Sequence, residues 1–310
     1  MKRIDANFFP GWVRKSITFT IDDGNVRLDR KFLDITEPAG LKGTFNLNTP
    51  LKRLDAQGYR DFYRGYEIAN HCKYHAYGFT DHTSRELKNE PFDRETADKA
   101  YIYPTEEEGI YRVYTYNWCY LATNEAYLDC TKKATEELEA VFGKGTIRDY
   151  VWPCGEQKND ALIEKLKAEG GFRSLRKTGC VGDSTRFALP ADRMAWSYNA
   201  NNNNMREFSK LFAEYPDDGE LKFFCFGVHS HDFENDDNWD VLENFCREFG
   251  NRPNDFWYAS VGEIFDYEDA IKALVITETE IKNDSDIDLY VKIDGDPKVI
   301  AAHTAYRLNA

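Results

Sequence analysis

"SITFTIDDG", residues 16–24, is the stretch on which the reading of this fold turns. Its first six residues are a short run with β-branched alternation and read as a buried strand. Two carboxylates and a glycine follow at once. A helical stretch near 25–38 and a second strand, "KGTFNL" (42–47), come next. The same alternation continues through strands "YEIAN" (66–70), "IRDYVW" (147–152), "FRSLR" (172–176), "LKFFCFGV" (221–228) and "FWYAS" (256–260). Between and after them lie helices at 123–142, 159–170, near 205–215, near 239–249 and near 261–273. Alternating β and α elements predict an α/β fold with a largely parallel sheet, and about seven strands before residue 262 favour a closed barrel.

The ends of the chain differ from this pattern. "ALVITETEIK", "IDLYVKI" and "KVIAA", with the turn "DGDP" (294–297), predict antiparallel strands. The expected organisation is a barrel over 1–268 and a small C-terminal antiparallel β extension over 269–310. Region 76–120, rich in charge and tyrosine, is too long for a plain connection and reads as an insertion that acts as a lid or binding loop.

Composition excludes several roles. With 40 basic and 54 acidic residues the net charge is −14, which disfavours nucleic acid and anionic membranes as partners. No apolar run approaches the roughly 20 residues that span a bilayer. The seven cysteines are odd in number and contain no C-x-x-C, and the N-terminus has no apolar segment behind its basic residues. Together these features predict reduced thiols and a cytoplasmic protein.

The chemistry gathers at strand ends. Asp22 and Asp23 follow the first strand, His71 the third, Pro153 and Cys154 the fourth, and His229 and His231 the sixth. In parallel α/β sheets the carboxyl ends of the strands form the face that carries the active site. His71 and His75 are four residues apart, a spacing that puts both on one face of a helical turn and suits a shared metal, although ordinary helices also carry such pairs. One carboxylate with two imidazoles is a common divalent-metal set that leaves positions open for water. Of two adjacent aspartates on an extended segment, one can face the metal while the other serves as a base. On the same helical assumption Cys72 points about 100° away and is no ligand. His82 reads as solvated and His303 as structural.

"TFTIDDG", "EIANHCKYH", "YVWPCG" and "FGVHSHDF" resemble, in order, the motifs of the polysaccharide deacetylase family (NodB homology, carbohydrate esterase family four). The resemblance covers roughly residues 10–268. It implies a distorted (β/α) barrel and hydrolysis of an N- or O-acetyl group from a carbohydrate. It also implies a divalent metal, zinc first, with cobalt, nickel, manganese or iron as alternatives. On this resemblance Asp23, His71 and His75 hold the metal, Asp22 is the base, His229 is the general acid and the Cys154 amide helps hold the oxyanion. His231 is the rival acid. Trp152, Pro153, His231 and Trp196 are the candidates for the substrate-pocket wall.

The chain departs from the family pattern where an arginine usually contacts the catalytic aspartate. Val151 stands there, so Arg148, Arg173 or Arg176 must substitute, with Arg176 the first choice because it ends a strand. Cys154 stands where tyrosine is usual. Asp192 and Trp196 match later family positions only loosely. The expected substrate is an acetylated carbohydrate or a small amide. Two other readings remain: an amidohydrolase acting on a non-sugar C–N bond, and a catalytically weak carbohydrate-binding homologue.

Overall fold

A computed structural model describes residues 2–78, 101–104, 111–114, 119–121, 124–153, 160–177 and 186–308. Seven strands form one parallel sheet: β1 (Lys15–Asp22), β2 (Gly43–Thr49), β3 (Glu67–Lys73), β4 (Asp149–Val151), β5 (Ser174–Arg176), β6 (Lys222–His229) and β7 (Trp257–Tyr258). Their order is β5–β4–β3–β2–β1–β6. The short β7 pairs with β1 at Ser16 and Ile17, below the Phe19–Asp22 stretch that pairs with β2. All seven strands of the sequence reading are present, and the fold is the expected distorted (β/α) barrel.

The distortion has a visible origin. Between β5 and β6 lies no further strand among the described residues; single bridges span the gap instead. Trp196 pairs with Arg176 on one side, and Ala200 pairs with Phe226 on the other. The segment 196–200 therefore closes the barrel with two isolated bridges where a ladder would normally stand.

Layers on both faces explain the composition of the strands. In β1 every residue after Lys15 is buried, as expected for a parallel strand covered on both sides. Phe19 packs edge-on against Phe32 of helix α1 (Val26–Thr36) and against Phe45 of β2. Fully burying one such side chain contributes about 1.5–3 kcal/mol. Asn25 caps α1, its side chain accepting from the Leu28 N–H, and Leu28, Phe32 and Leu33 form the buried stripe.

The amino ends of the strands are tied by charge. Arg173 donates to Asp149, to Glu67 at 3.1 Å and to Asp266 at 2.6 Å. Burial and the nearby Asp149 charge push the Glu67 carboxyl upward. This ionic cluster lies at the face opposite the strand ends described below, where a structural role is the rule.

The tail folds as antiparallel strands, as expected. Leu289–Ile293 and Asp296–Ile300 form a hairpin around Asp294 and Gly295, both at positive φ, so the turn is the two residues that a primed hairpin uses. Asp296 and Pro297, assigned to the turn in the sequence reading, belong to the second strand. A second antiparallel group joins Val275–Ile276, Glu280–Asn283 and Thr304–Arg307. An N-terminal strand that the sequence reading lacked, Ile4–Phe8, pairs with Leu289–Ile293. The first residues of the chain thus belong to the tail's sheet. Of region 76–120, only the short strands Ala76–Gly78, Tyr101–Pro104, Tyr111–Tyr114 and Cys119–Leu121 are described; the remainder of the expected lid lies outside the described residues. Among the described residues no helix is long and apolar enough to cross a membrane.

Candidate active site

The carboxyl ends of β1, β3, β5 and β6 meet at one rim. β1 ends at Asp22, and Asp23 then adopts φ 77° and Gly24 φ 65°. Left-handed backbone is uncommon for a residue with a side chain and marks a constrained site. It turns Asp23 across the barrel mouth. There Asp23 Oδ1 stands 3.2 Å from His75 Nε2 and 3.5 Å from His71 Nε2.

His71 and His75 arrive there differently from the sequence reading. No helix carries them. His71 lies inside β3, and His75 follows it in a turn with Tyr74 and His75 at φ 62° and 50°. The strand register aims His71 inward, and the left-handed turn folds His75 back, leaving ring centroids 4.9 Å apart. Cys72, at φ 62° where the β2–β3 register shifts, is buried near Thr131, with its sulfur 3.7 Å from the threonine hydroxyl. It is no ligand, because its backbone is turned at a bulge of the strand and not because of a helical angle.

The trio fits a metal on its own geometry. His71 Nδ1 lies 2.9 Å from the Val151 carbonyl. A carbonyl only accepts, so Nδ1 carries the proton and Nε2 presents a lone pair. That Nε2 and Asp23 Oδ1 are both buried without a hydrogen-bond partner. Two inward-facing lone pairs at 3.5 Å repel unless a cation lies between them. Burial pushes His75 down to about 4 against the pull of the Asp23 and Asp22 carboxylates. The His75 ring is therefore neutral at pH 7, the form that ligates.

Asp22 is held apart from this trio. Arg176, fully buried at the end of β5, donates from Nη2 to Asp22 Oδ1 at 2.5 Å. Asn46 of β2 donates to the same oxygen at 2.7 Å. Burial raises the Asp22 carboxyl, and the Arg176 guanidinium with the His229 charge brings it below its ordinary value. The carboxylate is thus ionised and oriented. Of the three arginines considered for the vacant Val151 position, Arg148 and Arg173 both bind Asp266 at the far face. Only Arg176 reaches Asp22.

His229 ends β6 and caps the short helix Ser230–Asn235. Its Nδ1 lies 3.0 Å from Asp232 Oδ2, which also accepts the His229 backbone N–H at 2.8 Å. Its Nε2 faces Asp23 Oδ2 at 3.8 Å. Burial lowers His229, but the Asp232 hydrogen bond and the Asp22 and Asp23 charges prevail and raise it to about 9. His231 lies in the helix and not on a continued strand; its ring stacks on His229 at 4.7 Å. His229, His231 and Asp232 also bring donor atoms within 4.8 Å of one another, yet here His229 Nδ1 and Asp232 already satisfy each other. The orphaned lone pairs belong to the first trio alone.

The remaining candidates scatter. Trp152 is buried between Tyr127 and Tyr150 in a core cluster, and Pro153 is buried beside it. Trp196 packs on Phe223 and Phe265 in another. Neither tryptophan lines the open cleft beside the trio, whereas His231 does. Asp192 accepts from the exposed Met194 N–H and is not among the residues of the rim. His303 pairs with Asp286 on the surface at 2.7 Å. Cys154, His82 and Cys180 lie outside the described residues. Asn46 and Asp232 were missed by the sequence reading. A lone asparagine in "GTFNLN" carries no signal until β2 is placed beside β1, and Asp232 looked like part of a polar helix start.

The sequence pattern of the family described as Polysaccharide deacetylase matches residues 13–172, more than half of the chain. The chain belongs to the polysaccharide deacetylase family. Among solved structures it is similar to the Xyl-CE4 domain of a multidomain xylanase from the hindgut metagenome of Trinervitermes trinervoides. That likeness has 14% identity and a TM-score of 0.47, covering 83% of this chain and 92% of that one. A family 4 carbohydrate esterase from Bacillus anthracis is 14% identical, with a TM-score of 0.43 over 82% of this chain and 83% of its own. A family 4 acetyl xylan esterase from Clostridium thermocellum, solved in complex with a cobalt ion, is 12% identical, with a TM-score of 0.42 over 80% and 89%. No curated protein matches the sequence.

Proposed function

We propose that this chain is a metal-dependent hydrolase that removes an N- or O-acetyl group from a carbohydrate. Family membership supports carbohydrate deacetylation as the class of activity. The observation that carries the reading is the separation of two adjacent carboxylates into different environments. Asp23 faces two imidazoles through an orphaned oxygen, while Asp22 is fixed by Arg176 and Asn46.

Asp23, His71 and His75 would hold the divalent cation, which supplies a polarised acyl carbonyl and a bound water of lowered pKa. Asp22, ionised and immobilised, takes the proton as water attacks the carbonyl carbon. Arg176 acts through Asp22 as a positioning residue. His229, raised to about 9, is cationic at neutral pH and donates a proton to the departing amine or alkoxide. Asp232 orients its ring through Nδ1 and so presents Nε2 to the site. His231 stacks outside this pair and lines the entrance. Zinc is the first choice of metal, with cobalt, nickel, manganese and iron as rivals for two imidazoles and a carboxylate. Buried free cysteines at 72, 130, 225 and 246 support a reducing compartment and hence a substrate met inside the cell.

The reading is tested by acetate release from N-acetylated sugar oligomers, set against ring opening of small cyclic imides. Acetate release that disappears in Asp22→Asn while metal content is kept is the expected result. Ring opening without acetate release would replace the reading with an amidohydrolase.

A further inference from the structure

A cleft of about 770 Å³ opens beside the trio, between the start of α1 and the loop that follows β2. This lies within the roughly 300–1,000 Å³ of small-molecule sites. Asp23 and His231 line its inner end, so a molecule lying in it reaches the reaction centre. The charge of the lining runs against the composition of the chain. Arg27, Lys52 and Arg53 border the cleft, and its only carboxylate among the described residues is Asp23, which the cation would neutralise. The protein as a whole carries −14.

These three cations also lack partners of their own. No ion pair or side-chain hydrogen bond holds their charged ends among the described residues; Arg53 contributes only its backbone N–H, to Tyr59 Oη. Glu234 feels the Arg27 charge, but its hydrogen bonds come from Lys31 and Trp239. Exposed lysines and arginines ordinarily scatter among carboxylates. Here three converge, unpaired, on the mouth of a cleft.

We infer that the acylated substrate carries an anionic group, a phosphate ester or a carboxylate on the sugar, which Arg27, Lys52 and Arg53 hold while the acyl group lies against Asp23 and His71. This rests on the deacetylase reading and narrows its substrate class. The three side chains are specificity determinants and take no part in bond making.

The test uses the metal-loaded full chain and four sugars: N-acetylglucosamine 6-phosphate, N-acetylmuramic acid, neutral N-acetylglucosamine and di-N-acetylchitobiose. The expected kcat/KM for one of the anionic sugars exceeds that of both neutral ones by tenfold or more, about the worth of one charge-assisted contact. The better of the two tells phosphate from carboxylate. The preference shrinks as salt is raised. Arg27→Gln/Lys52→Gln/Arg53→Gln lowers it by at least tenfold without changing metal content. Neutral sugars turned over as fast as both anionic ones, or a preference indifferent to the triple variant, would overturn the inference. Absence of acetate from all four sugars would instead remove the deacetylase reading. Calorimetry of the two anionic sugars on the same protein then decides the cleft by itself. Binding lost in the triple variant upholds the anion site, and equal binding or none rejects it.

Discussion

Arg176→Met keeps the apolar stem of the side chain and removes the guanidinium that faces Asp22. Arg176 is fully buried, Asp22 is 4% exposed, and the pair is 2.5 Å apart. Removing one partner of a buried pair costs about 3–5 kcal/mol, because a buried charge is left uncompensated. Asn46 still donates to the same oxygen at 2.7 Å, and Asp22 can escape by taking up a proton. The lower end of the range, about 3 kcal/mol at pH 7, is therefore expected. In the unaltered chain, burial raises Asp22 and the Arg176 and His229 charges bring it below its ordinary value. Its contribution is present above the unfolded pKa and lost as pH falls through the folded one. In the variant the sign reverses: burial, no longer opposed by Arg176, lifts the carboxyl, and stability is lost as pH rises above about 3.9. Urea unfolding of the metal-free protein should thus show the full deficit at pH 7 and under about 1 kcal/mol near pH 4. Adding Asp22→Asn should return about 2 kcal/mol of it, since neither charge then remains. A deficit that is small at pH 7, equal at both pH values, or unrelieved by the second change would refute the argument.

Three further outcomes follow from neighbouring groups. Asp29 is buried, and burial with the Asp23 charge lifts its carboxyl from 3.8 to about 7 despite hydrogen bonds from Ser230 and Tyr63. A raised carboxyl costs stability as pH climbs from the unfolded to the folded pKa, here on the order of 4 kcal/mol. Asp29→Asn should therefore flatten the stability profile between pH 4 and 7, and an unchanged slope in thermal melts would contradict this. His229→Ala should lower kcat by about 10²–10⁴, and His231→Ala by far less; the reverse order would move the acid role to His231. Arg173→Leu, which strips the cation from Asp149 and Glu67 at the far face, should cost about 3–5 kcal/mol while kcat/KM of the folded fraction is kept; a kinetic loss without destabilisation would place that cluster in the chemistry.

Much of the barrel could be read from strand patterns because its strands are buried on both faces and leave short, near-continuous runs of β-branched and apolar residues between turn signals. Strand ends were legible for the same reason, and they put Asp22, Asp23, His71 and His229 at one rim. The path of His75 was not. Its position depends on left-handed backbone at Tyr74 and His75, for which neither residue type gives a sign, so the four-residue spacing suggested a helix that does not form. Arg176 could be named as a candidate from its place at a strand end, but its selection over Arg148 and Arg173 needed the register of β4 and β5. Ile4–Phe8 escaped because its ladder partner lies at the other end of the chain, and an edge pairing of that separation leaves no local pattern.

The central claim is that Asp23, His71 and His75 hold one divalent cation and that hydrolysis depends on it. Metal content of the purified protein, measured beside His71→Ala/His75→Ala and coupled to acetate release from N-acetylated sugars, tests it most directly. The account predicts about one metal per chain, lost in the double variant together with acetate release. Absence of metal from both proteins after zinc is supplied would contradict it.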